Sequence, residues 1–511
     1  MPTSTEAPRI SVVVPAYNSG PHIEKLVSSL LGQSMPADEF EVVFVDDGST
    51  DSTGPRLDEL AAAHPHIRVL HTPNSGWPSR PRNLGVQHAR GEYVFFADDD
   101  DWFGEEALER LYACAAEHDA DVVVGRMAGH GRSVPRELFR RNRFDATLAN
   151  SPLIDSLTSH KLFRRSFLNE HELRFPEGKR RLEDHVLVVR AYFLSRRTCV
   201  LADYVCYHHQ RRTDAGNVTA ERLDPAGYFV NLREALDIVD AHTGPGELRD
   251  RLHRRWLRNE IVARLRGKRL LKAPPEWVEL VAGEAQRVIR ERFAPGVAAG
   301  LPPVQRVVTW LTEQGRTADL RQLAGWEAAV RATATADRVR RNSATVTVTF
   351  SGGLRSGEQP VTFAADGDRR LLSLPVADVP AELRDSTERL TQSKLDLIAR
   401  RRETGEEFFV PVEGTVELVP VEGGQLRAVL RGTARLDFGA LNRGRTKGTW
   451  DLKARITSCG WAEDAGLSLA FRCAADGARP VRLPHPKSLR SRLRRAVARR
   501  LPESVRRQLR R

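Results

Sequence analysis

Five uncharged residues, Tyr93-Val94-Phe95-Phe96-Ala97, run directly into four carboxylates, Asp98 to Asp101. The five have the aromatic and β-branched character of a buried strand. Four adjacent like charges repel, so they are a costly way to end one. A divalent cation offsets that repulsion, and hard cations such as Mg2+ or Mn2+ prefer carboxylate oxygen. A solvated turn is the simpler account of an acidic run. Placement favours a ligand: the run sits between a strand and an apparent helix over Glu105–Ala116, and open α/β sheets bind ligands at such strand ends.

The chain before this point repeats the pattern. Ile10–Val14 reads as a strand ended by Pro15-Ala16-Tyr17-Asn18. Pro21 suits a first helical position, and Ile23, Leu26, Val27, Leu30 and Leu31 follow at helical spacing. Phe40–Val45 is a second strand, ended by Asp46-Asp47-Gly48-Ser49; Asp51 can cap the next helix. Ile67–Leu70 is a third strand, followed by a loop from His71 to Pro81 and a helix over Asn83–Ala89. Asp121–Val124 is a fifth strand. This alternation predicts a parallel sheet with right-handed crossovers. No GxGxxG follows the first strand, which argues against a dinucleotide-binding dehydrogenase. Tyr17-Asn18, Asp46-Asp47 and Asp98–Asp101 are expected to converge on one sheet edge, a cleft suited to a nucleotide and its metal.

With 511 residues the chain exceeds one ordinary core. Apolar (41%) and charged (29%) content are those of a globular protein, with no apolar run approaching a membrane span. Met1–Arg9 lacks a signal-peptide core, and the five cysteines show no CxxC or zinc spacing. The expected location is the cytoplasm, peripheral at the inner face of the cell membrane. The net charge of +12 is uneven: Lys487–Arg511 holds eleven Lys/Arg against one Glu, a net +10, which leaves +2 for the rest.

Further along, Arg180-Arg181-Leu182-Glu183-Asp184-His185 opens a helix. Its two carboxylates either stabilise the helix start or do chemistry. Tyr207–Arg212 is a His/Arg cluster without metal-ligand spacing, either a diphosphate clamp or a solvated basic loop. From Leu223 to Arg340 the pattern is helical, broken at prolines; from Ser343 it alternates as in a β-sandwich. In the tail, Leu489, Leu493, Val497, Leu501, Val505 and Leu509 recur every fourth residue among arginines. That suits an anionic membrane surface or anionic polymer, with a disordered basic tail as the alternative. No nucleic-acid partner is expected, since no aromatic interleaving accompanies the charge. The expected domains are 8–222, 223–340, 343–476 and a basic tail, 485–511.

These residues carry a family resemblance. Val12–Asn18, Val45–Asp51, Pro81-Arg82-Asn83-Leu84-Gly85 and the acidic strand, in this order, resemble glycosyltransferase family 2 with a GT-A (Rossmann-like) α/β fold. Asn74-Ser75-Gly76, Gly131–Pro135, Ser159–Phe163, Leu173–Glu177 and Glu183-Asp184 are similar to the wall teichoic acid poly(ribitol-phosphate) N-acetylglucosaminyltransferases. That resemblance implies a helical linker and C-terminal immunoglobulin-like β-sandwich modules that drive trimer formation; here the sandwich reads as a single module. It implies that Pro15, Tyr17 and Asp47 hold the uracil of a UDP-sugar, with Asn74 and Arg82 near the nucleotide phosphates. It makes Asp98 and Asp100 the metal ligands for Mn2+ or Mg2+, with Asp99 near the ribose. It puts Arg132 at the donor sugar or acceptor, and makes Asp184 the catalytic base with Glu183 beside it. Arg212, Asn217 and Thr219 fall in the donor-closing loop, where the family has a histidine and this chain has Asn217.

The implied activity is inverting transfer of N-acetylglucosamine from a UDP-sugar to a hydroxyl of an anionic polyol-phosphate polymer. Two alternatives stand beside it. One is a capsular or exopolysaccharide transferase with another UDP-hexose and a polysaccharide acceptor. The other is a non-catalytic glycan-binding scaffold.

Overall fold

The computed structural model describes residues 7–211, 224–342, 345–444, 447–474 and 477–480. The expectations for Arg212, Asn217, Thr219 and the basic tail lie outside the described residues. No helix among the described residues is long and apolar enough to cross a membrane.

The N-terminal sheet is built on β1 (Ile10–Ala16), every residue of which is buried. β1 pairs in parallel with β2 (Phe40–Asp46) on one side and β4 (Tyr93–Phe96) on the other; β3 (Ile67–His71) extends β2. Continuous apolar strands of this kind belong to a sheet covered on both faces. Helices α1 (Ile23–Leu31), α2 (Thr53–Ala63) and α3 (Ser79–His88) supply the cover. At Gly85 an added Cβ would lie 2.3 Å from Val13 Cγ1, so glycine lets α3 sit directly on β1. Helix α3 begins before the expected Asn83, because Pro81 fits a first helical turn, where its missing N–H costs nothing.

Past β4 the sheet is mixed rather than all parallel. β5 (Trp102–Phe103), β6 (Val122–His130), β7 (Arg143–Ala146), β8 (Leu162–Arg164) and β9 (Thr198–Gln210) complete the sheet, in the order β3-β2-β1-β4-β8-β6-β9-β5 with β7 beside β9. β6 and β9 pair in parallel, and the strands around them do not. β8 inserts between β4 and β6 and is antiparallel to both. Three residues carry no alternation that a sequence pattern can detect. The insertion matters, since it carries Ser159-His160-Lys161 to the end of β4. The helices α4 (Ala107–Glu117), α5 (Arg165–Glu170) and α6 (Glu183–Leu194) finish this region.

The helices α7 (Pro225–His242) and α8 (Glu247–Trp256) lead into a π-helical turn, Leu257–Ile261. Further helices continue to Ala328, where the helical reading to Arg340 is corrected. β10 (Val330–Arg341) is an edge strand, antiparallel to β11 (Thr345–Ser356). Ala332, Ala334 and Ala336 are its inward positions, and alanine favours helix over strand, so its period is easily missed. The remaining strands form a sandwich of a seven-stranded and a five-stranded sheet. It includes Thr362–Asp366, Arg369–Leu372 and Lys394–Arg401, which the sequence pattern did not mark.

Two cores result. One holds Val346, Phe350, Leu397, Leu452 and the fully buried Trp450 between the two β-sheets. The other runs from the N-terminal sheet through the helices and takes in Val361, Phe363, Leu372, Cys459 and Trp461 of the sandwich.

Candidate active site

The polar ends of β1, β2 and β4 do converge. Asn18 Oδ1 accepts from Thr50 N–H (2.8 Å), and Asn18 N–H donates to Ser49 Oγ (3.0 Å). Ser19 Oγ donates to the Asp99 carboxylate, tying the first loop to the acidic run. Pro15 is buried within β1, and Tyr17 is exposed at its end. Asp47 is buried, and its two oxygens accept from Ser75 N–H (3.0 Å) and Ser75 Oγ (2.9 Å). Asn74 Oδ1 accepts from Gly76 N–H (2.7 Å). Gly48, at φ +73, would bring an added Cβ within 2.7 Å of Asn74 N, so these loops press backbone to backbone.

Arg82 joins the two carboxylate sets. It is buried, projects from α3, lies over the Phe175 ring and donates to Asp98 Oδ1 (2.8 Å) and Asp184 Oδ1 (3.3 Å). The other Asp184 oxygen accepts from Ser159 N–H (3.2 Å). Burial works against ionisation of Asp98, yet the facing His160 and the Arg82 guanidinium hold it well below the usual carboxylate range. Burial and the neighbouring Asp184 push Glu183 up to about 7. These two acids stand at the first turn of α6, which is preceded by Leu182 in a left-handed conformation (φ +66). A branched side chain there costs on the order of 1–3 kcal/mol, the kind of strain that persists where a site over-determines the backbone.

Below the acidic run, Asp98, Asp101, His160 and His209 bring ligand atoms within 4.8 Å of one another. Asp101 is fully buried; Oδ1 accepts from Gln210 N–H (2.7 Å), and Oδ2 has no hydrogen-bond partner. Burial and the charges of Asp98 and Asp100 push its carboxyl well above the usual range. An orphaned buried oxygen facing a carboxylate and two imidazoles is a donor set that fits a divalent cation. Asp98 belongs both to this group and to the expected ligand pair; Asp100 is buried on the same turn and is not one of the four.

Tyr207–Gln210 of the His/Arg cluster are not a solvated loop. Residues 207–210 are strand, and alternation divides them. Tyr207 Oη accepts from Asp98 N–H (2.9 Å), and His209 joins Asp98. His208 turns away, stacks on Trp102 (4.8 Å) and shares a hydrogen bond with His130 (3.0 Å). Arg132 reaches the same strand end, donating from Nε to Gln210 O (2.8 Å).

Several partners escaped the sequence reading. Ser159 and His160 lead into β8, which carried no detectable period; Asp101 belongs to the acidic run but was not among its expected metal ligands. His185 stands in the sequence only as part of a helix start; the structure holds its ring from the helical region. Trp256 Nε1 donates to His185 Nδ1 (3.3 Å), and Arg255 lies 3.4 Å from Nε2. Burial and the Arg255 charge pull His185 down to about 3, so the ring is neutral.

With this geometry in view, the family models for glycosyl transferase family 2 and for the glycosyl transferase TarS linker domain match residues 11–176 and 225–324. TarP, a poly(ribitol-phosphate) beta-N-acetylglucosaminyltransferase of Staphylococcus aureus, is 31% identical over 236 residues, 45% of this chain and 72% of its own length. The chain belongs to glycosyltransferase family 2. Within that family it is 32% identical to S. aureus TarS, another such N-acetylglucosaminyltransferase, over 58% of this chain and 52% of the relative. It is 34% identical to the poly(ribitol-phosphate) beta-glucosyltransferase of Bacillus spizizenii over 46% of this chain and 37% of the relative. The chain thus spans about half, or less, of the length of these last two. The crystal structure of S. aureus TarS 1–349 in complex with UDP-GlcNAc superposes with a TM-score of 0.55 at 25% identity, covering 69% of this chain and 98% of that one. The GT-A-like α/β sheet and the helical linker are therefore an architecture shared with TarS.

Proposed function

We propose that this protein is a metal-dependent inverting glycosyltransferase. In this reading it moves N-acetylglucosamine from a UDP-sugar to a hydroxyl of a polyol-phosphate polymer of the teichoic acid type. The observation that carries the reading is Arg82. One guanidinium touches both the carboxylate at the donor-side strand end and the carboxylate at the start of α6. A sugar bound against Asp98 and Arg82 would present its anomeric carbon toward Asp184.

Asp184 then takes the proton of the acceptor hydroxyl as that oxygen bonds to the anomeric carbon and the bond to UDP breaks on the opposite face. An α-linked donor gives a β-linked product. Ser159 N–H and Arg82 orient the Asp184 oxygens. Arg82 also supplies a fixed positive charge beside the departing diphosphate. Asp98, with Asp100 from the family pattern and the facing Asp101, His160 and His209, would hold Mn2+ or Mg2+. When bound, that cation offsets charge on the leaving group.

UDP release is the direct test, with purified protein, a panel of UDP-sugars, Mn2+, Mg2+ or chelator, and poly(ribitol-phosphate). Metal-dependent release from UDP-N-acetylglucosamine, stimulated by polymer, is the expected result. No release from any donor would favour a glycan-binding scaffold. Asp184→Asn should lower turnover by at least about 10^3-fold with donor affinity retained; near-normal turnover would remove Asp184 from the role. UDP-glucose is the second donor to test, since the B. spizizenii relative is named a glucosyltransferase.

A further inference from the structure

A groove of about 590 Å3 opens at the far edge of the N-terminal sheet, where β9 begins. Its walls include Arg141, Arg143 and Arg197, with His118, Asn142 and Phe144 between them. From Thr198 beside the groove to His209 at the carboxylates is at most about 36 Å along the strand. None of the groove's lining residues belongs to the site described above, so the two are separate features.

The charges in this groove are uncompensated in a way their neighbours are not. Arg136 and Arg140 pair with Glu407 and Asp396, Arg164 with Asp119, and Arg196 with Asp121. Arg141 and Arg143, between and beside these, have no ion-pair partner among the described residues, and Nη1 of Arg143 is buried without a hydrogen-bond partner. Arg197 gives one N–H to the backbone carbonyl of His118 (2.9 Å). Against three guanidiniums the groove offers one exposed carboxylate, Asp145. Phe144 is 39% exposed and stacks on His118 (4.1 Å between centroids), making an apolar floor between the cations. Asn142 is fixed by accepting from Ala202 N–H (2.7 Å), which leaves its amide N–H groups available to a ligand.

We infer that this groove binds a second stretch of the acceptor, a phosphodiester-linked polyol chain. Guanidiniums match phosphate oxygens, often two at a time. An exposed aromatic ring suits the C–H face of a polyol or sugar. Alternating anionic and hydroxylated units offer both. The inference rests on the acceptor proposed above. It adds that the enzyme holds a long polymer at two places and so discriminates by length.

The test uses the full-length protein, so that the basic tail contributes equally to every variant. Direct binding of poly(ribitol-phosphate) is measured by calorimetry for the wild type and for R141Q/R143Q/R197Q, beside turnover on polymers long enough or too short to span both sites. Three charge–phosphate contacts at a water-exposed groove are together worth about tenfold. The expected result is that loss in affinity and in KM for long polymer. KM for UDP-sugar and for a two-unit acceptor should stay unchanged, and 0.5 M salt should erase the difference. If the triple variant does not fold, the exposed pair R141Q/R197Q carries the test with a smaller loss. Unchanged polymer affinity in a folded variant overturns the groove and leaves the transferase reading intact. Lost binding in a protein that transfers no sugar keeps the groove and overturns the transferase reading. Equal binding and equal loss with single-stranded RNA overturns the polyol assignment.

Discussion

The helical region and the sandwich both grip the catalytic sheet, but by different chemistry. The helical region reaches the residue next to Asp184. Fully buried Trp256 and buried Arg255 hold His185, and Arg255 continues to Glu260 (2.7 Å), which also meets Arg264 and Tyr228. Glu260 stands in the π-helical turn, a geometry often kept at functional sites. The sandwich grips the flank of β6 instead. Arg126 reaches Glu407 O and lies over Phe408; Arg136 pairs with Glu407; Arg140 pairs with Asp396 (2.8 Å) and lies over Phe409. These ion pairs are partly open to water. A buried network next to Asp184, the proposed base, should govern both folding and turnover, whereas rim pairs should trim stability alone.

Breaking the buried network gives the largest expected effect. Glu260→Gln leaves Arg255 and Arg264 buried without a carboxylate, a loss of about 3–5 kcal/mol read from the denaturation midpoint. Burial alone would raise the Glu260 carboxyl, but Arg255, His185 and Arg264 pull it down to about 2. Its stabilisation is therefore present above the ordinary 4.5 and lost as pH falls toward 2, and the cost of the variant should fade over that window. Trp256→Phe removes the N–H to His185. We expect kcat to fall about tenfold at unchanged donor KM, the scale of one buried hydrogen bond. A rise in KM alone would sever the link between Trp256 and Asp184.

Glu183 sharpens the contrast by its opposite sign. Its folded value, up to about 7, lies above the ordinary 4.5. Burial therefore costs nothing at low pH and costs most above about 7. Glu183→Gln should raise the melting temperature at pH 8 and leave it unchanged at pH 4. The smallest effect belongs to the sandwich contact: Arg140→Gln should cost about 0–1 kcal/mol, less in high salt, with normal turnover.

How much of this was legible in the sequence follows from range. The ends of β1, β2 and β4 announce themselves, because buried strands running into carboxylates have few other uses, and the hydrogen bonds from Asn18 and Ser19 bring those ends together as expected. Glu183 and Asp184 were visible as a helix start, and their neighbourhood was not. Arg82 reaches Asp184 across 102 positions, and a three-residue strand delivers His160 to Asp98. Such contacts depend on packing order, which local periodicity does not encode. The alanine-rich β10 failed for the reverse reason: its local preference is helical, and pairing with β11 overrides it.

One architectural detail bears on how the molecule melts. Val361, Phe363, Leu372, Cys459 and Trp461 belong to the sandwich strands or their turns, yet pack into the core shared by the sheet and the helices. The thermal seam therefore runs through the sandwich rather than between it and the helical region. A calorimeter should record the helices, the sheet and this apolar face of the sandwich as one cooperative unit. A fragment ending at residue 342 would enter solution with that shared core cut open.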